Sequence, residues 1–346
     1  MAVQWKIPIG VRVCDVVAGR DTDQVYVAAD DYVTVMTGRD IAGRIPVGPD
    51  TKRLILSADE PFLYVFDYDG SVRIIDTTDH TVTTIYANPS TAEVVSPSGR
   101  YFYTAHLAAS RESVDSLISA TTADAKSMAA VVIENYATGM DLSPDGAHLY
   151  VATSRVGSYT QYSPGSVTVI ETARNAIVDT IAVSPSPDTV TVSPDGSRVL
   201  VTHYDTNSIS AIDVERRSVT SMFLPDAPLC AVVTPDGTGI YVIGMQSLFA
   251  VDFLTKIAEI IPAGQMPRRM QFSADGKRAC VTDLASSSVA VLDIVTNSVI
   301  TTVQLDGNPE AVALSGDGEW LYVADYWAGT LTAISIALAV RDAEVA

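Results

Sequence analysis

Two of the four histidines in the chain, His106 and His203, close short β-rich runs, Tyr103-Thr104-Ala105-His106 and Leu200-Val201-Thr202-His203. Imidazole titrates near neutral pH, so a histidine at such a strand end can give or take a proton or bind a metal. Tyr204 follows His203 directly, and the doubled Arg268-Arg269 offers a planar cation for a carboxylate or enolate oxygen. His106, His203, Tyr204 and Arg268 are therefore expected to carry acid–base chemistry. Asp67, Glu93, Arg269, Asp283 and Asp325 are expected to bind a polar substrate, and Tyr159, Tyr162 and Trp327 to cover its apolar part.

Each of these residues also has a plainer explanation. Asp and Gly are ordinary turn formers, a loop histidine is usually only hydrogen-bonded, and charges at a rim are usually solvated. The loop 154–166, which holds Tyr159 and Tyr162, reads equally as a tolerated insertion. His80 and His148 fall in surface turns. No Gly-x-Ser-x-Gly elbow, phosphate-binding loop, His-Glu-x-x-His or dinucleotide fingerprint occurs. No cofactor is expected, and a divalent metal on the Asp and His positions is left open.

The elements that must position these residues are repeats. Ser193-Pro194-Asp195-Gly196 is a tight turn, followed by the β-rich runs 198–203, 208–212 and 218–224 and preceded by an alternating run, 187–192. Variants of the turn recur at Ser57, Ser96, Ser143, Thr234, Ser273 and Ser315, with a degenerate copy at Gly19. Seven residues after the turn's first residue stands Tyr26, Tyr64, Tyr103, Tyr150, Leu200, Tyr241, Cys280 or Tyr322. A period near 40 residues marks repeats rather than separate domains. The chain is thus expected to be all-β, an eight-bladed propeller of four-stranded antiparallel blades filling residues 1–346 as one domain. Residues 1–10 match the end of an outer strand and are expected to complete the last blade, and 337–346 are read as a mobile tail. In blade 3 the Ser/Ala/Thr-rich segment 107–126 reads as a helical turn or a broken third strand.

Tyr150-Val151-Ala152-Thr153, Tyr322-Val323-Ala324-Asp325 and Leu200-Val201-Thr202-His203 each follow a Ser-x-Asp-Gly turn and precede a Val-x-Val-Ile-Asp-like strand. In this the chain resembles the YVTN family of β-propeller repeats over nearly all its length. The resemblance implies the fold strongly and the function weakly, because similar propellers serve as lactonases, lyases, redox subunits, surface-layer proteins and binding modules. The family motif usually has Asn where this chain has Asp67, His106, His203, Asp283 and Asp325. A turn-capping role therefore explains the aspartates, while the two histidines fit it poorly. These positions, together with Lys52, Glu93, Asp188, Arg268 and Glu310 at the entrance to the inner strands, are expected to form rings around the channel mouth.

A net charge of −19 and the lack of a basic run with aromatics argue against nucleic acid. No segment has the length of an apolar membrane span or the form of a leader, and three cysteines inside strand patterns fit a reduced, cytoplasmic protein. Two function classes remain. One is an enzyme acting on a small organic ligand by lyase, isomerase or lactonase chemistry. The other is a non-catalytic platform for a protein or peptide partner.

Overall fold

A computed structural model describes residues 3–19, 23–86, 88–109, 114–125, 128–154, 164–337 and 339–340. The turn at Ser193 shows how each unit begins. The Ser193 hydroxyl donates to Asp195 Oδ1 at 2.5 Å and accepts the Arg198 N–H at 3.0 Å. Asp195 Oδ1 also takes the Ser197 N–H, and Gly196 adopts φ +70°, a region where a side chain is strained. The hydroxyl-to-Asp bond recurs at Ser143, Thr234, Ser273 and Ser315, at 2.5 to 2.7 Å. Local side-chain bonds thus start each hairpin at a set residue.

The described residues form eight four-stranded antiparallel sheets, an all-β, eight-bladed propeller. Blade 1 runs outwards from strand A, Val13–Ala18, through B, Gln24–Ala29, and C, Tyr32–Thr37, to D, Asp40–Pro46. The inner strands of blades 2 to 7 are Thr51–Leu56, Ala92–Val95, Tyr136–Leu142, Val190–Val192, Pro228–Val233 and Pro267–Phe272. Blade 8 takes Pro309–Leu314, Trp320–Asp325 and Thr330–Ser335 from the chain's end and its outer strand, Val3–Pro8, from the beginning, with Lys6 opposite Thr332. Trp5 packs on Trp320 with ring centroids 4.7 Å apart, and Arg39 of blade 1 stacks over Trp5 at 4.5 Å. The closure expected for residues 1–10 is therefore observed.

Alternation along strand B decides where every side chain points. The residue seven past each turn is buried and packs on the following blade: Tyr103 with Met140 and Leu149 of blade 4, Leu200 with Ile240 and Val242 of blade 6, Tyr322 with Val13 and Val27 of blade 1. The residue three positions later has the opposite parity and faces the preceding blade. Equivalent strand-B ends therefore look into eight separate clefts and do not converge on the axis, contrary to the expected ring.

Two more expectations are corrected. Among the described residues of blade 3 the third strand is unbroken: Tyr101–Ala109 and Val114–Thr122 pair without a register shift, from Tyr101 opposite Thr122 to Ala109 opposite Val114, while residues 110–113 and 126 of the segment lie outside the described residues. Ser116 and Ala120 flank the buried Ile118 on one face of this long hairpin, and pairing overrides the weak intrinsic β preference of the serines and alanines. Ala339, assigned to a mobile tail, is instead buried with Ile336 against Val291, Leu321 and Val323. No helix among the described residues is long and apolar enough to cross a membrane.

Deleting residues 1–8 removes the outer strand of blade 8 and the Trp5–Trp320 contact, exposing a paired edge. The truncated chain is expected to aggregate or to melt far below the full chain in a thermal scan. An unchanged, monomeric melt would show that closure by this strand is dispensable.

Candidate functional site

Strand A lies innermost in each blade, and its free edge presents main-chain amides without a sheet partner. Two aspartates accept such amides across blade boundaries. Asp15 Oδ2 takes the Leu54 N–H of blade 2 at 2.8 Å while its Oδ1 takes the Val16 N–H at 2.8 Å. Asp141 repeats the arrangement between blades 4 and 5, with Val192 N–H at 2.8 Å and Leu142 N–H at 2.9 Å. Hydroxyls cross other blade boundaries as donors, Thr91 to Ala137 O at 2.9 Å and Thr191 to Ala231 O at 3.0 Å. These bonds tie the inner strands into a rigid channel wall.

Both aspartates keep part of their surface open to the channel, yet the protein around them makes ionisation costly. Burial pushes Asp141 up to about 6, opposed by its two amide donors and then by the Arg53 charge. Burial also raises Asp15, opposed by the Leu54 and Val16 amides and then by Arg53 and Arg269. Arg53 and Arg269 are exposed. A cavity of 510 Å³ lined in part by Val17, Arg53, Ile55, Gln271 and Ala313 joins the inner strands of blades 7, 8, 1 and 2 to the Ser57 turn. A carboxyl that gives up its proton near neutral pH can act as a base towards water, and a guanidinium beside it can meet developing negative charge.

The histidines expected to be catalytic are not brought together. His203 is fully buried in the cleft towards blade 4, with Nδ1 3.1 Å from Pro185 O and Nε2 2.8 Å from Ser210 Oγ. Burial lowers it to about 4, so the ring is neutral at physiological pH and both nitrogens are engaged. His106 is buried in the cleft towards blade 2, with Nε2 2.7 Å from Thr104 Oγ1. Identical strand offsets give the two rings identical orientations within their blades, and hence two different clefts.

The aspartates at the same offset are structural. Asp283 accepts the N–H groups of Gln265 at 3.1 Å, Met266 at 2.5 Å and Ser286 at 3.1 Å, and also the Ser286 hydroxyl. Asp325 accepts the Ala328 N–H at 3.0 Å and lies so close over Gly307 that a Cβ there would collide with its carboxylate. Asp67 pairs with Arg73 in the cleft between blades 1 and 2. All three are buried, and the bonds they make are to neighbouring loop amides or to Arg73.

The remaining expected residues are spread over one rim. Glu93 is buried in an ion pair with Lys52 at 2.5 Å and accepts the Ser90 hydroxyl. Arg268 stands 3.8 Å from Glu310, while Arg269 reaches the channel group already described. The Tyr204 hydroxyl donates to Met245 Sδ at 2.8 Å on blade 6, and Trp327 is exposed against the edge of Tyr326. Tyr159 and Tyr162 lie outside the described residues.

Asp15 and Asp141 were not singled out from the sequence, although a lone carboxylate inside an otherwise apolar inner strand was a usable signal. The cysteine thiols offer no alternative nucleophile: burial pushes Cys14 and Cys280 up to about 12. Among the described residues no three His, Cys, Asp or Glu side chains stand together as metal ligands. Aspartates interleaved with arginines also make a poor donor set for a cation.

Comparison with known proteins gives a family. Residues 21–246 match the profile described as "SMP-30/Gluconolactonase/LRE-like region". A seven-bladed β-propeller protein of Mycobacterium tuberculosis is 27% identical over 242 residues, spanning 57% of this chain and 59% of that protein. Among solved structures, the C-terminal WD40 domain of Sif2 superposes with a TM-score of 0.74 at 10% identity, over 96% of this chain and 98% of that one. Kuenenia stuttgartiensis hydrazine synthase superposes with a TM-score of 0.59 at 17% identity, over 94% and 96%. The curated relative is named for seven blades, and the described residues of the present chain form eight sheets.

The folded pKa of His203, about 4, lies below its ordinary value of 6.5, so protonation favours the unfolded chain. Stability is expected to fall by roughly 3 kcal/mol as pH drops from 6.5 through 4. Denaturant unfolding of the parent and of His203→Gln across that range should show a shallower acid slope in the variant. Identical slopes would place the titration elsewhere.

Proposed function

The chain belongs to the SMP-30/gluconolactonase/LRE-like propeller family, and from that membership we propose that it hydrolyses a small lactone, or a closely related cyclic ester, inside the central channel. The observation that carries the reading is Asp141, a carboxyl held near a pKa of about 6 on the channel wall within the field of Arg53. The YVTN-like form of the repeats supports the same broad group of activities.

In this reading Asp141 removes a proton from a water molecule, and the resulting hydroxide adds to the lactone carbonyl. Arg53 and Arg269 stabilise the oxyanion that develops on the carbonyl oxygen. The ring C–O bond then breaks, and the departing alkoxide recovers the proton from Asp141. The product is a hydroxy acid that loses its carboxyl proton to bulk water, and the resulting carboxylate stays paired with the arginines until release. Asp141 keeps its main-chain bonds throughout, since each carboxylate oxygen retains a lone pair beyond the one its amide donor occupies.

The test is hydrolysis of a panel of five- and six-membered lactones, followed by pH titration. kcat is expected to rise with pH through an apparent pKa of about 6, because the ionised form of Asp141 is the active one. Asp141→Asn should lower kcat by roughly a hundredfold or more. Arg53→Ala should move the acid limb to higher pH, since loss of a neighbouring positive charge makes the carboxylate harder to form. Full activity in Asp141→Asn would remove the base, and no hydrolysis of any lactone would remove the reaction class.

A further inference from the structure

Strand register sorts the channel wall into tiers. The strand-B residue two beyond the one seven past each turn is Ala28, Phe66, Ala105, Ala152 or Ala324, and it stands opposite Asp15, Arg53, Ala92, Gly139 or Ala311 of the inner strand. Arg269 lies at the same level, its N–H bonded to Thr282 Oγ1 at 3.1 Å. One tier therefore holds Asp15 and both arginines, with small side chains between them. The Arg53 charge of blade 2 acts on Asp141 of blade 4 past Ala92, and that of Arg269 on blade 7 acts on Asp15 of blade 1 past Ala311. Charges that reach across an intervening blade in this way lie inside the ring of inner strands.

The cations near the mouth differ in what they pair with. Lys52 is held by Glu93 and Arg268 stands 3.8 Å from Glu310, whereas among the described residues no carboxylate lies within ion-pair distance of Arg53 or Arg269. Asp15 and Asp141 give their oxygens to main-chain amides instead. Both guanidiniums are exposed, and Arg53 lines a cavity whose 510 Å³ suits a small organic molecule. We propose that the substrate is an anionic lactone, one that carries a carboxylate on its ring, and that Arg269 pairs this carboxylate while Arg53 stays with the reacting carbonyl. This substrate class rests on the lactonase reading. A bidentate pair uses two of the five guanidinium N–H donors, so Arg269 still adds to the field on the oxyanion. Hydrolysis adds one water across the ring C–O bond, leaves a hydroxy dicarboxylate and releases one proton to bulk water. The net charge of −19 repels anions at long range, so a preference for one has to come from the channel arginines themselves.

The test compares kcat/KM for γ-butyrolactone γ-carboxylate and for its carboxamide, which has the same shape without the charge. The parent should prefer the carboxylate about tenfold or more at low ionic strength, and less as salt is added. Arg269→Gln should lower kcat/KM for both lactones and bring their ratio close to unity, chiefly by raising KM for the carboxylate. Arg269→Lys, which keeps the charge without the planar fork, should restore part of the preference. A second measurement needs no turnover. Calorimetric titration with α-hydroxyglutarate, the product, should show binding that Arg269→Gln weakens about tenfold, and titration with its diamide should show none. Hydrolysis of both lactones with equal kcat/KM, or a ratio that Arg269→Gln leaves unchanged, would overturn the proposal and leave the reaction class in place. Binding of α-hydroxyglutarate through Arg269 without hydrolysis of either lactone would keep the anion site and remove the lactonase reading, and with it the lactone as substrate.

Discussion

The structure depends on one contact repeated around the ring, the burial of the residue seven past each turn against the next blade. A four-stranded sheet has two faces to cover, and a blade standing alone would expose both. Burying a side chain the size of tyrosine contributes about 2 to 3 kcal/mol. That gain exists only when a neighbour is present, so every blade stabilises the next. The same dependence makes closure obligatory, and Val3–Pro8 supplies it by completing a blade whose other strands come last in the chain.

Once faces are committed to neighbours, little of each blade is left to perform chemistry. Residues at the ends of strand B enter the clefts, where His203 and Asp283 are saturated with bonds that hold the loops in place. Inner-strand edges alone reach the axis, and there the unsatisfied amides are taken up by Asp15 and Asp141. The carboxylates that tie adjacent inner strands together are thereby held at a raised pKa by burial, with Arg53 acting on both and Arg269 on Asp15. A structural need for acceptors and a chemical use for a base coincide in the same side chains.

The two ends of the ring are also unlike. Turns of the Ser-Pro-Asp-Gly type spend their aspartates on their own amides and stand among arginines and lysines. Loops on the other side differ in sequence and carry aromatic residues outwards, and their carboxylates cap amides more variably, Asp30 taking Val11 N–H, Asp69 Ser71 N–H and Asp226 Gln246 N–H. Such a division suits a scaffold whose turns set the repeat while its loops face partners or ligands.

What could be read from the chain alone was whatever repeats locally. Serine–aspartate bonding, positive φ at Gly196 and alternation over six residues act within a few positions, so turn spacing disclosed blade number, strand order and the closing role of residues 1–10. Which residues share a site was not legible, because a strand offset specifies the orientation of a side chain within its blade and not its distance from the axis. His106 and His203 look equivalent in the sequence and are equivalent in the fold. Ring rotation nevertheless turns that equivalence into two separate clefts. Asp141 looks unremarkable in its strand, and packing against blade 5, a contact between residues distant in the chain, both bonds it to Val192 and raises its pKa.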